Sequence, residues 1–158
     1  MPKASLSSSV SRRSVRLGLP VVLVIVAAGA AFFAWGPAPA PQIEVGRRLY
    51  AEACAACHGA SLEGQVNWQR RLPNGRMPAP PHDASGHTWH HSDEVLFRIT
   101  RDGPAAYPEG YQTDMPAFGR RLTDREILAT LAYIKSTWPP EIRAKQERIG
   151  LDSRRRKP

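Results

Sequence analysis

Two cysteines and a histidine give this chain its clearest chemical pattern. Cys54 and Cys57 are separated by two alanines, and His58 follows at once. This spacing is typical of sites that attach a c-type haem, in which each thiol bonds one vinyl group and the histidine binds the iron. A redox-active cysteine pair is the alternative, but it needs a strand before it and a strand-helix-strand surround. The chain has 2 cysteines in all, so we expect one covalently bound haem c and no structural disulfide.

The residue that fills the sixth position of such an iron decides between electron transfer and ligand chemistry. Met115, which Pro116 and Phe118 follow, is the stronger candidate, because a thioether sulfur is a neutral ligand that stabilises the reduced iron. Met77 is the rival, although it follows the histidine closely in the chain and its loop has less reach. Ordinary packing is the alternative role for either methionine.

The positive charge of the chain is concentrated at its two ends. There are 22 Lys and Arg residues against 14 Asp and Glu residues. Residues 1–16 and residues 141–158 each carry a balance of +4, whereas residues 44–140 hold 11 charges of each sign. A nucleic-acid-binding domain would need a basic face on its folded part. We therefore expect no nucleic acid among the partners.

Residues 17–35 form an apolar run of 19 residues without a charge. As a helix this run rises about 28 Å, which is close to the thickness of the hydrocarbon core of a bilayer. The basic residues before it are expected to stay in the cytoplasm. The run therefore predicts a single transmembrane signal anchor, with the rest of the chain on the outer side of the membrane.

A cleaved signal peptide is the competing interpretation of this run, because Ala38-Pro39-Ala40 has the small-x-small form that precedes cleavage. The length of the apolar run and the proline after that site favour retention of the anchor. Residues 36–43 are rich in proline and alanine, which favours an extended linker.

The remaining chain predicts helices separated by long loops. Apolar periodicity predicts a helix over Ile43–Ala53. Ser92 is a candidate N-cap for a second helix, and Thr123 with Glu126 forms a capping box for a third. A further short helix is predicted over Glu141–Ile149, whereas residues 59–91 show no sustained periodicity and predict a loop.

In this arrangement the sequence resembles the class I cytochromes c. Four separated elements match in order: Gly46 with Tyr50, the Cys54–Gly59 motif, Met115 with its proline and phenylalanine, and the segment 122–134. The resemblance implies a small all-helical fold, in which Gly46 lets the first helix approach the last one and Tyr50 packs near Tyr133. It also implies that His58 and Met115 are the axial ligands of the haem iron. Thr130 and the long insert after the motif depart from the family pattern.

We therefore expect an all-α cytochrome c fold around one haem c, preceded by one transmembrane helix. Its expected function is one-electron transfer between respiratory partners in the membrane or periplasm, such as an oxidase, reductase or dehydrogenase, without enzyme activity of its own. The expected location is the bacterial inner membrane, with a periplasmic C-terminal domain. The expected parts are a cytoplasmic N-terminus (1–16), a signal anchor (17–35), a linker (36–43), a cytochrome c domain (44–140) and a basic C-terminal tail (141–158).

Two alternatives are a haem-containing subunit of a redox enzyme and a copper-handling protein. The second rests on four histidines within ten residues, since neutral imidazoles are common ligands of copper and zinc. Three tryptophans are expected to pack the core or the haem, and three arginines are candidate partners of its propionates. These residues are His82, His87, His90 and His91; Trp68, Trp89 and Trp138; and Arg70, Arg71 and Arg76.

Overall fold

A computed structural model describes residues 40–156 of the 158-residue chain. Five helices follow one another in this part, joined by loops and by two short 3₁₀ turns at Thr88–His90 and Gly103–Ala106. The helices are α1 (Ala40–Ala53), α2 (Ala55–His58), α3 (Asp93–Asp102), α4 (Asp124–Ser136) and α5 (Pro140–Arg155). Residues 40–156 contain no strand, which agrees with the predicted all-helical fold.

The predicted membrane anchor at 17–35, the N-terminus before it and most of the 36–43 linker lie outside the described residues. Among residues 40–156, no helix has both the length and the apolar character needed to cross a membrane. The first helix begins at Ala40, earlier than the predicted start at Ile43. Pro41 therefore lies in the first turn, where a missing backbone N–H removes no intrahelical hydrogen bond.

The crossing of α1 and α4 is the main helix contact of the domain. Gly46 faces the backbone of Ala129 so closely that no side chain would fit between them. Tyr50 packs against Tyr133 with ring centroids 5.5 Å apart. Both contacts were expected from the resemblance. Thr130, where an aliphatic residue is more usual, is buried and bonds its hydroxyl to the Glu126 carbonyl at 2.9 Å.

Local sequence signals set the start of α3 and α4. The Ser92 hydroxyl accepts a hydrogen bond from the Val95 amide at 3.4 Å, which confirms the predicted cap. At α4, the Glu126 carboxylate accepts from the Thr123 amide at 2.8 Å, and the Glu126 amide donates to the Thr123 hydroxyl at 3.3 Å. The predicted capping box is thus confirmed. Seven side chains from the helices, the loop after α2 and the turn between α4 and α5 form the buried core cluster: Tyr50, Leu62, Leu96, Ile127, Leu131, Ile134 and Trp138.

The helix α5 is longer than predicted and is packed on the domain. Its Gln146 is 1% exposed and donates to the Asp93 carboxylate at 2.6 Å and to the His91 carbonyl at 3.2 Å. Ile142 packs against the core cluster. Residues 140–155 therefore join the folded domain through a buried polar contact, although their charge pattern suggested a separate tail.

Candidate haem-attachment site

The two cysteines lie where α1 passes into α2. The Cys54 amide donates to the Tyr50 carbonyl at 2.9 Å, and the His58 amide donates to the Cys54 carbonyl at 2.9 Å, so the motif is held in helical geometry. Cys54 is partly buried, Cys57 is exposed, and both are free thiols. Burial raises the pKa of Cys54 to about 11. A redox-active cysteine pair needs an accessible thiolate of lowered pKa, so this environment does not favour that alternative.

One ring nitrogen of His58 bonds the protein, which leaves the other available as a candidate metal ligand. Its side chain is buried, and the Nδ1–H donates to the carbonyl oxygen of Pro80 at 2.9 Å. Burial lowers the pKa of His58, so the imidazole is neutral at neutral pH and its Nε2 carries a lone pair. A neutral histidine whose second nitrogen bonds a backbone carbonyl is a typical metal ligand. The two thiols and this imidazole therefore fit a covalently attached haem.

Tyr50 fixes the chain immediately after the histidine. Its phenol is 1% exposed and donates to the Gly59 carbonyl at 2.8 Å, with the His58 carbonyl at 3.3 Å. Burial raises the pKa of Tyr50 far above its usual value, so the phenol keeps its proton and its role as a donor. The resemblance gave Tyr50 only a packing role, and this hydrogen bond adds a second one.

Met115 lies partly buried in the loop that leads to α4. Its amide donates to the Thr113 hydroxyl at 3.1 Å. Beyond it, the buried Phe118 donates its amide to the Thr100 carbonyl at 3.1 Å, which ties the loop to the end of α3. The assignment of Met115 as an axial ligand stays a prediction, as does the rival role of Met77.

Arg76 connects the insert after the motif to the loop of Met115. Its guanidinium pairs with the Asp114 carboxylate and donates to the Thr113 carbonyl at 3.2 Å. The loops that carry the two candidate methionines therefore meet at this ion pair. Arg71 lies 5.9 Å from the ring centroid of Tyr111. Arg71 and Arg76, two of the three candidate propionate partners, thus contact other protein groups in this structure.

The four histidines of the insert have different surroundings. His82 stacks on His58, His87 stacks on Trp68 at 5.1 Å, and His90 stacks on Trp89 at 3.7 Å between ring centroids. Burial lowers the pKa of His82, His87 and His91. Within residues 40–156, no three His, Cys, Asp or Glu side chains come together to hold a metal ion. The ring centroids of His87 and His91 lie 5.4 Å apart, and the copper-handling alternative stays a prediction.

Two contributors to this site, Pro80 and Thr88, were not identified from the sequence. Pro80 acts through its carbonyl, and a backbone oxygen leaves no mark in a residue pattern. Thr88, which is 5% exposed, contacts Nδ1 of His82 through its hydroxyl at 2.8 Å. Trp138, which was expected to pack the core or the haem, lies in the core and donates its indole N–H to the His82 carbonyl at 2.7 Å. The adjacent prolines at 80 and 81 were the one feature of the sequence that indicated a rigid backbone segment near the motif.

A comparison with protein families matches residues 41–134 to the family described as cytochrome c oxidase, cbb3-type, subunit III. The matched range covers more than half of the chain and includes the attachment motif, the Met115 loop and most of α4. No curated protein and no solved structure matches the chain.

Proposed function

Because this chain belongs to the family of cbb3-type cytochrome c oxidase subunit III, we propose that it carries single electrons through one haem c. In this proposal Cys54 and Cys57 hold the haem covalently, and His58 and Met115 ligate its iron. The main support for this proposal is the buried, neutral imidazole of His58. Its Nδ1–H donates to the Pro80 carbonyl, which leaves Nε2 available to the iron. A bound haem c supplies an iron that alternates between the ferrous and ferric states.

With a haem c bound, the protein residues around His58 would hold this ligand in one tautomer and one orientation. The Pro80 carbonyl at 2.9 Å from Nδ1 fixes the tautomer of His58, and such a hydrogen bond also increases the basicity of the ligand nitrogen. The burial of His58 limits access of water to its ring. In this proposal the chain acts as an electron carrier without enzyme activity of its own.

We further propose that residues 17–35 retain the chain in the bacterial inner membrane with its haem domain in the periplasm. The support is the charge-free apolar run and the basic residues that precede it. An anchor of this kind confines the search for redox partners to the plane of the bilayer. Among oxidase, reductase and dehydrogenase partners, the description of the family favours an oxidase.

The ligation is tested by optical and redox titration of the membrane-bound protein, with its mass recorded. We expect one haem, an uncleaved mass and a near-infrared charge-transfer band of methionine-ligated ferric iron. Met115→Ala should remove this band, whereas the matched variant Met77→Ala should keep it. A band that survives Met115→Ala and disappears in Met77→Ala would reverse the assignment of the sixth ligand.

A second candidate role is that of a permanent subunit of an oxidase, which the family description supports. The two roles differ in the lifetime of the complex, since electron-transfer encounters are small and transient. A tagged chain is purified from detergent-solubilised membranes at high salt. Stoichiometric recovery of an oxidase identifies a subunit, whereas recovery of the haem protein alone identifies a mobile carrier. Resistance of the reduced protein to carbon monoxide is expected in both roles, because Met115 occupies the sixth position.

A further inference from the structure

One tripeptide, residues 80–82, contacts the imidazole of His58 in two ways. The Pro80 carbonyl accepts the Nδ1–H at 2.9 Å, which acts within the plane of the ring. The ring of His82 stacks on the face of His58, with centroids 4.0 Å apart and planes inclined by 18°. The hydrogen bond fixes where Nδ1 points, and the stacked ring blocks rotation of the His58 plane toward that side.

His82 is itself held from several directions. Its amide donates to the Leu62 carbonyl at 2.7 Å, and its carbonyl accepts from the Trp138 indole at 2.7 Å. The Thr88 hydroxyl donates to the Pro81 carbonyl at 3.2 Å, so it has no second proton for His82. The 2.8 Å contact between Thr88 and His82 is therefore donated by the Nδ1–H of His82.

The segment of residues 80–82, which carries His82, is closely packed against neighbouring backbone. A Cβ on Gly86 would lie 2.8 Å from the carbonyl carbon of Pro81. Gly64, whose amide donates to the His58 carbonyl at 2.7 Å, is packed against Pro80 and Pro81 as closely. The position of the stacked ring is thus determined by backbone contacts and does not depend on a flexible surface loop.

We propose that His82 is a positioning residue that sets the rotational orientation of the His58 imidazole about its bond to the iron. The inference rests on the proposed role of His58 as an axial ligand. The orientation of an axial imidazole determines which iron orbital its π system overlaps, and hence how unpaired spin is distributed over a ferric haem. Groups around a metal ligand orient that ligand and tune the metal in this way.

The test uses the haem-bound full-length protein in its ferric state. Proton NMR reads the pattern of haem-methyl shifts, and redox titration reads the midpoint potential. His82→Ala removes the stacked ring, so it should change the spread of the methyl shifts and displace the potential. His82→Phe restores a flat ring without the bond to Thr88, so it should bring both values back toward those of the wild type.

Two results would overturn the inference: a His82→Ala protein with the wild-type methyl pattern and potential, or a His82→Phe protein that differs as much as the alanine variant does. If His82→Ala fails to fold, Thr88→Val loosens the ring while keeping the shape of the side chain, and an unchanged methyl pattern in that variant is equally contradictory. Hyperfine-shifted His58 protons in the wild type establish the ligand itself. Their absence would refute the proposed function, whereas their presence with an unresponsive His82→Ala variant refutes only this inference.

Discussion

Replacement of Gly46 by alanine tests the close contact on which the α1–α4 crossing depends. A Cβ on Gly46 would lie 2.5 Å from the carbonyl carbon of Ala129, closer still to its oxygen, and 3.0 Å from the Cβ of Tyr133. Carbon atoms in contact prefer a separation of about 3.5 Å or more. Because the nearest atoms belong to the backbone of α4, no flexible side chain can yield, and the helices must separate by about 1 Å.

The energetic effect follows from this separation. A gap of about 0.5–1 Å forfeits about a quarter to a half of the dispersion energy between the facing atoms, and overpacking of a core costs about 1–3 kcal/mol. The higher helix propensity of alanine offsets up to about 1 kcal/mol of this loss of stability. We therefore expect Gly46→Ala to lower the free energy of unfolding by about 2 kcal/mol, a large fraction of the roughly 5–15 kcal/mol typical of a domain.

The assay is guanidinium unfolding of the haem-bound protein, followed by circular dichroism. Gly150→Ala is the matched control, because Gly150 also lies within a helix and the nearest atom to its added methyl is the Arg154 guanidinium Nη1 at 3.6 Å. That is ordinary contact, so the control should be unchanged or more stable by up to about 1 kcal/mol. The reasoning is refuted if Gly46→Ala is as stable as the wild type or if both variants lose the same free energy.

Three further substitutions address the other buried and bridging contacts. Tyr50→Phe removes the hydrogen bonds of the phenol to the carbonyls of His58 and Gly59, each of which keeps an amide donor, and should cost about 1 kcal/mol at neutral pH. Burial raises the folded-state pKa of Tyr50, so its stabilising effect is full below its usual pKa of about 10 and is lost as pH rises beyond it. The variant should therefore lose less stability than the wild type at alkaline pH. Gln146→Ala should cost about 1–2 kcal/mol in unfolding experiments, because it removes the hydrogen bonds of a buried amide to the His91 carbonyl and to the Asp93 carboxylate, which keeps Lys135 as a donor. Glu147→Ala on the exposed side of the same helix should change little. Arg76→Gln should change the free energy of unfolding by no more than about 1 kcal/mol, because the ion pair is exposed. By loosening the Met115 loop, it should increase the affinity of imidazole for the ferric haem several-fold. Arg70→Gln serves as its control.

Each of these expectations has a contrary outcome. Parallel alkaline stability curves for Tyr50→Phe and the wild type would show that the phenol does not titrate with folding. Equal losses for the variants at Gln146 and Glu147 would place the stabilisation in the helix as a whole. Unchanged imidazole affinity in Arg76→Gln would show that the Met115 loop is held by its other contacts.

Short-range patterns in the sequence predicted the local structure well. The cap at Ser92 and the capping box at Thr123 form as predicted, because such hydrogen bonds span only a few residues. The contacts of Gly46 and Tyr50 were expected from the class I cytochrome c resemblance, and the family match supports that resemblance. The start of α1 was predicted too late, because residues 36–43 were interpreted as an extended linker, although the first turn of a helix accommodates a proline such as Pro41.

By itself the sequence determined the haem-attachment motif, the class of fold and the starts of α3 and α4, because spacing of a few residues fixes which side chains act together. Only the tertiary structure decided the surroundings of His58. Its Nδ1 partner is a backbone carbonyl 22 residues away, and His82 stacks on its ring. The tertiary structure likewise decided that Gln146 in α5 is buried and bonds Asp93. Such contacts depend on how distant segments pack, and a carbonyl oxygen is the same in every residue. Candidate metal ligands can therefore be identified from the residue types, whereas the tautomer and the orientation of such a side chain are properties of the folded chain.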